Sequence, residues 1–278
     1  MQDTITTVYC VCDEVLNALG HQDDIQSRMS SAEIMLVPIV AALYYRSNHA
    51  LTRQFLFQHH YFKSCLCASR FGRRLRSIPA SAWQMVFHLL SQLFVQTNKS
   101  GYYAVDSMPV LVCQNARINR CRLFRVTEHE ALRGKQASKD RYFYGFKVHL
   151  LVTKDGEPVE FFISEGSMHD LEGLRHLPLD LPKASLLFAD KAYISKAEEE
   201  FLQDTAQLRL ISPKRANAKT PLPQELLFLC QTIRQNIETA FGEINKTMPT
   251  KIHAVSPAGF LLKINALIIA YAFACITK

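Results

Sequence analysis

The sequence predicts an α/β protein, a mixed five-stranded sheet flanked by helices and preceded by an all-α segment. Three observations carry this. Residues 1–95 place apolar side chains at helical spacing with almost no strand signal, five β-branched or aromatic runs begin near Gly101, and the links between those runs change from short turns to helical segments. The 278 residues allow one large domain or two modest ones. With 48% hydrophobic and 21% charged residues, and only 10 Gly and 11 Pro, collagen-like, low-complexity and largely disordered classes are excluded.

In the first segment Ile34, Val37, Val40 and Leu43 recur at helical spacing, as do Trp83, Val86, Phe87, Leu90 and Phe94. Between them SRFGRRLRSIP (Ser69–Pro79) sets Arg70, Arg73, Arg74 and Arg76 on less than two turns, followed by a proline break and another helix. This is either a solvated charged face or a helix-turn-helix-like element whose arginines meet DNA phosphates. The strands are expected at Tyr102–Ser107, Tyr142–Thr153, Pro158–Ser164, Ala184–Ala189 and Leu208–Ser212. The first three follow one another, the second and third across the turn Lys154-Asp155-Gly156, and should be antiparallel; helical segments before the last two imply parallel crossovers. A long amphipathic helix, about Pro223–Met248, comes next, and the domain boundary falls between residues 98 and 99. This element order is that of a ribonuclease H-like fold, which alone is only suggestive of function.

Lys and Arg number 32 against 25 Asp and Glu, and the formal charge of +7 favours an anionic partner without choosing between nucleic acid and a membrane surface. The start, MQDTITTVYCVCDEVL, lacks a basic region followed by an apolar one, so a cytoplasmic location and eight reduced cysteines are expected. The apolar run Ala266–Ile276 has 11 residues, short of the roughly 20 that span a bilayer. It reads as a buried C-terminal helix begun by Ser256-Pro257, and no membrane partner is expected.

Function should rest on the acids. Asp106, in YYAVDSMPV, closes the first strand, where it could also cap the turn Ser107-Met108-Pro109. Asp190, in SLLFADKAYIS, closes the fourth; the helix beyond has its own capping box from Ser195 to Glu198, so Asp190 lacks an obvious structural role. The first and fourth strands are natural neighbours, and two carboxylates at adjacent strand ends repel unless divalent cations bridge them. Hard oxygen ligands of this kind suit Mg²⁺ or Mn²⁺. A third carboxylate is expected on the late helix. Its stripe Leu226, Leu229, Ile233, Ile237, Phe241 and Ile244 leaves Glu238 and Glu243 on opposite flanks, and periodicity does not choose between them. Arg234, four residues before Glu238, also fits a surface ion pair. Ser167-Met168-His169-Asp170 has capping-box spacing, and His149 reads as a core histidine.

The densest basic segment, Arg117, Arg120, Arg122, Arg125, Arg133, Lys135, Lys139, Arg141 and Lys147, faces only Glu128, Glu130 and Asp140 and fits a surface that tracks DNA phosphates. Lys214, Arg215 and Lys219 form a second, shorter cluster.

YAVDSMPV, the segment ending in YFYGFKVHLLVT, EGSMHDLEGL, LLFADKAYIS and IRQNIETAFGEINK together resemble the catalytic core of the DDE transposases of bacterial insertion sequences, most closely the insertion-sequence 982 group, over roughly Gly101–Lys278. The SRFGRRLR segment is similar to that group as well. The family's glutamate motif is Tyr, two residues, Arg, three residues, Glu, six residues, Lys. It maps onto Arg234 and Glu238, whereas Gln231 occupies the Tyr place, Asn245 the Lys place, and Lys246 lies one residue late. The resemblance implies that Asp106, Asp190 and Glu238 are the catalytic, metal-binding triad, with Mg²⁺ or Mn²⁺ as cofactor. It also implies cleavage of phosphodiester bonds at transposon ends followed by attack of the freed 3′-OH on target DNA, by a homodimer assembled on double-stranded DNA. A nuclease of the same fold and a non-catalytic DNA-binding derivative are the competing readings.

Overall fold

The computed structural model describes residues 1–124, 130–136, 140–213 and 222–277. The chain folds into two compact units, Met1–Leu90 with Glu243–Lys278, and Ser91–Gly242. The sequence places the boundary between residues 98 and 99 and assigns the whole C-terminal stretch to the sheet domain; in the fold the last helix belongs with the N-terminal helices.

In the helical unit α1 (Gln2–Ala18), α2 (Ser31–Tyr44), α3 (His49–Gln58) and α4 (Ala68–Ser77) precede α5 (Ala80–Thr97), which runs on into the second unit. Ser30 starts α2 with a capping box: its hydroxyl accepts from the Glu33 N–H, and the Glu33 carboxylate accepts from the Ser30 N–H. Almost every residue from Ser31 to Ala42 is buried, which marks α2 as a central helix apolar all round. It packs against α1, α3, α4 and the C-terminal α9 (Pro257–Ile276). Ser256 caps α9 and Pro257 occupies its first turn, as expected. The helix is longer than the apolar run that announced it. Among the described residues it is the one helix whose length and composition would cross a membrane, and just over half of its apolar window is buried inside the protein.

The second unit is built on a six-stranded mixed sheet: β1 (Tyr102–Cys113), β2 (Arg133–Gln136), β3 (Arg141–Thr153), β4 (Pro158–Glu165), β5 (Leu186–Ala189) and β6 (Arg209–Ile211). All five expected strands are present and β2 is additional. β1 lies between antiparallel β3 and parallel β5, and β6 follows parallel to β5. β2 and β4 share the other edge of β3, β2 opposite Arg141–Tyr144 and β4 opposite Phe146–Val152. Gly156, with φ of +86°, makes the β3–β4 turn. Helices α6 (Asp170–Arg175), α7 (Lys196–Ala206) and α8 (Gln224–Thr247) complete the order, α8 running on into the other unit.

The fold differs from three local expectations. β1 does not stop at Ser107 but runs through Pro109 to Cys113. Beyond Val105 it has β3 on one side only, where a strand tolerates a proline. Ser167 does not cap α6; His169 holds the cap position without a side-chain hydrogen bond. The Ser195 cap on α7 is present, but Glu198 does not close the box, because its buried carboxylate pairs with Arg175 at 2.7 Å.

Candidate active site

The register of the central strands positions the first two acids. The β1–β5 ladder ends at the pair Val105 and Ala189, so Asp106 and Asp190 are the next residue on each chain. β5 stops there, its chain entering a 3-10 turn, Lys191–Tyr193, while β1 continues along β3. A crevice at the carboxyl ends of parallel strands is the usual binding place in an open α/β sheet. Asp106 accepts the Ser107 N–H at 2.8 Å, and Asp190 accepts the Lys191 N–H at 2.5 Å. Burial, with Asp190 and Asp170 adding negative potential against the relief that the Ser107 N–H and Arg234 provide, pushes the Asp106 carboxyl up to about 7.

Glu238 reaches this pair through an arginine. On α8 the buried residues Cys230, Ile233, Ile237 and Ala240 form the inward face, and the Asn236 amide donates to the Lys154 carbonyl at the β3–β4 turn. Arg234 then stands between two acids, 3.3 Å from Asp190 and 3.7 Å from Glu238. Glu243 instead pairs with Lys246 at 2.7 Å. The register thus sets Asp106 beside Asp190, and Arg234 joins Asp190 to Glu238. Among the described residues no three His, Cys, Asp or Glu side chains are gathered closely enough to hold a metal ion.

A further acid enters from α6. Asp170 Oδ1 accepts from the Ser107 hydroxyl at 2.7 Å and from the Lys147 ammonium at 3.0 Å, and Lys147 also donates to the Met168 carbonyl at 2.8 Å. Lys147 is therefore turned inward and engaged within the protein. The helix sits this close because residue 173 is glycine: a Cβ there would lie 2.2–2.5 Å from the His149 ring. His149 is fully buried, donates to or accepts from the Ser164 hydroxyl at 2.8 Å, and is held down to about 4 by burial. Its core role is as expected, while Asp170 is not the capping residue that the spacing suggested. A glycine three residues into a short helix was the signal for close packing at this point. Tyr193 is buried beside Asp106, Asp170 and Asp190, its hydroxyl without a hydrogen-bond partner among the described residues.

The basic candidates separate into exposed and engaged residues. Arg117 and Arg120, on a 3-10 turn after β1, are exposed, as are Arg122, Arg133, Lys135 and Arg141. Arg133 meets Glu130 at 3.3 Å and Lys135 meets Asp140 at 2.7 Å, both at exposed positions where such pairs contribute little. Arg125, Lys139, Lys214, Arg215 and Lys219 lie outside the described residues. In the helical unit Arg70, Arg73 and Arg76 are exposed on α4, whereas Arg74 is engaged internally: one of its terminal nitrogens lies 2.6 Å from Asp23 and also donates to the Met29 carbonyl.

A family model described as a transposase DDE domain matches residues 96–254, more than half of the chain. No curated protein matches. The mixed sheet flanked by helices, following a helical N-terminal region, is consistent with the ribonuclease H-like fold of that domain.

Proposed function

The chain belongs to the DDE transposase family, and on that premise we propose that it cleaves phosphodiester bonds at insertion-sequence ends and joins the freed 3′-OH to target DNA, in the manner of the insertion-sequence 982 group. Asp106, Asp190 and Glu238 are the catalytic carboxylates in this reading. The observation that carries it is the β1–β5 register, in which Asp106 and Asp190 follow the last paired residues together.

The donor chemistry, three carboxylates, suits a divalent cation, but among the described residues the three are not gathered closely enough to enclose one. Asp106 is a carboxyl that burial and a neighbouring acid keep from ionising easily, and all three candidates offer hard oxygen atoms. Mg²⁺ or Mn²⁺ bound there would supply activation of the attacking oxygen and stabilisation of the leaving oxygen. The protein's own groups do the rest. Asp106, Asp190 and Glu238 bind as carboxylates, and no covalent nucleophile is required. Arg234 holds Asp190 and Glu238 in reach of each other and, as a fixed cation, limits their mutual repulsion. Asp170 fixes the Ser107 side chain, and the backbone of that same residue donates to Asp106, so Asp170 and Lys147 support the orientation of the first carboxylate.

Arg117, Arg120, Arg122, Lys135 and Arg141 serve as phosphate contacts, and Lys214 and Arg215 are proposed as further contacts on the sequence alone. The helical unit recognises transposon ends through α4. Holding two ends for concerted joining requires two active sites, so a homodimer on DNA, acting in the cytoplasm, is the working assembly. Incubating the purified protein with DNA flanking its own gene, in Mg²⁺ and in EDTA, and mapping broken and joined ends tests the proposal. Joined products in Mg²⁺ alone are expected. Cutting without joining would reduce the protein to a nuclease, and binding without cutting would leave a DNA-binding derivative.

A further inference from the structure

Within the helical unit, α4 and the segment ahead of α2 enclose an open concavity of about 470 Å³, in the size range of ligand sites, roughly 300–1,000 Å³. Arg28, Arg70, Arg73 and Arg74 line it together with Ser27. Phe71 and Leu75 bury the opposite face of α4, and this fixes the helix and turns Arg70 and Arg73, three residues apart, toward the opening. Arg74 has a different task. Its guanidinium is 2.6 Å from Asp23, which also accepts from the Ser31 N–H at 2.8 Å and hydroxyl at 2.6 Å, so Arg74 ties α4 to the start of α2.

Among the described residues Arg28, Arg70 and Arg73 make no ion pair. One acid, Asp24, shares the lining, and its Oδ1 accepts the Gln26 N–H at 2.8 Å. Three guanidinium groups around one opening, with a single carboxylate in the lining, repel one another until an anion enters. Their planar forks match the paired oxygens of a phosphodiester.

We propose that this concavity binds a backbone phosphate of duplex DNA through Arg28, Arg70 and Arg73, while Arg74 fixes its wall and does not touch the nucleic acid. The proposal rests on the transposase reading, which supplies DNA as the partner, and narrows it to a site that includes Arg28, a residue outside the basic helix.

The test uses the full chain in EDTA, so that nothing is cut, with a fluorescein-labelled duplex of arbitrary sequence, and follows affinity by anisotropy between ~50 and ~200 mM salt. The triple variant of Arg28→Gln, Arg70→Gln and Arg73→Gln should reduce the slope of log K against log salt by about 0.9, the loss of one phosphate contact, and each single variant by a part of that. All three side chains are exposed, so the variants should keep the wild-type melting temperature. A wild-type slope in Arg28→Gln, with reduced slopes in the two helix variants, would overturn the concavity in favour of a simple helix face. Wild-type slopes in all of them, in a protein that still binds and joins DNA, would overturn the proposal alone. Failure of the wild-type chain to bind duplex, or its binding to anionic-lipid vesicles instead, would overturn the transposase reading and this inference with it.

Discussion

Asp23 and Asp190 each meet an arginine from another element, and the two pairs are built differently. Asp23, in the helical unit, accepts from Arg74 at 2.6 Å and twice from Ser31, and although burial pushes its carboxyl up, these bonds outweigh it and hold it below the usual carboxylate range. Asp190, in the sheet unit, has its arginine at 3.3 Å, shares that arginine with Glu238, and adjoins Asp106, whose carboxyl is pushed up to about 7. The first carboxylate is satisfied by the fold that contains it. The second belongs to a cluster with surplus negative charge, which a cation can complete. The structural acid and the proposed catalytic one thus differ in what the fold leaves undone around them.

The sharpest way to break this comparison is by neutralisation. Asp190→Asn and Glu238→Gln should abolish end cleavage while leaving duplex binding nearly intact, and Glu243→Gln should retain cleavage, because Glu243 is paired with Lys246. Full cleavage by Glu238→Gln beside an inactive Glu243→Gln would reverse that assignment. Next in size is Gly173→Ala. A methyl group 2.2–2.5 Å from the ring of a fully buried histidine forces α6 or β3 to move, at a cost of about 2–4 kcal/mol. The displacement should also lower cleavage by pulling Asp170 from Ser107. Chemical denaturation and the cleavage assay together check it, and wild-type values in both would remove α6 from the site.

Asp23→Ala should cost about 1–3 kcal/mol, since it removes three hydrogen bonds and leaves Arg74 without its counter-ion. The folded carboxyl lies below its unfolded value, so its contribution is present at neutral pH and fades as pH falls below about 4. Wild-type and variant stabilities should therefore converge in acid.

Asp106→Asn should behave oppositely. The folded carboxyl lies above its unfolded value, so between about pH 4 and 7 the folded state binds more protons than the unfolded one, and stability falls as pH rises through that window. In EDTA at pH 8 the variant should be more stable than wild type by about 1–3 kcal/mol, and in Mg²⁺ it should not cleave DNA. A less stable variant at pH 8 would contradict the contrast with Asp23.

Much of this arrangement is legible in the sequence. The five apolar strands announce themselves by β-branched and aromatic runs, and Asp106 and Asp190 stand out as single acids closing two of them. What escapes has identifiable causes. β2, with the sequence Arg-Gly-Lys-Gln, carries no apolar signal and exists because the free edge of β3 pairs with it. Pro109 reads as a turn because a strand with one vacant side is not visible before the sheet is assembled. The union of α9 with α2 joins residues more than 200 apart, and periodicity carries no such long-range information. Glu238 and Glu243 flank one stripe symmetrically, and Arg234 separates them only once β5 has brought Asp190 to α8. Arg74 and Lys147 look like members of basic clusters because their acidic partners, Asp23 and Asp170, lie 51 and 23 residues away.

The central claim, that the sheet holds an acid whose charge the fold alone does not satisfy, is tested most directly by carbon-13 NMR titration of the aspartate side chains in the metal-free protein, with Asp106→Asn identifying the resonance. One carboxyl titrating at about 7, and moving well below that value when Mg²⁺ is added, is the predicted result. An Asp106 carboxyl that titrates in the ordinary range of about 4, with or without Mg²⁺, would contradict it.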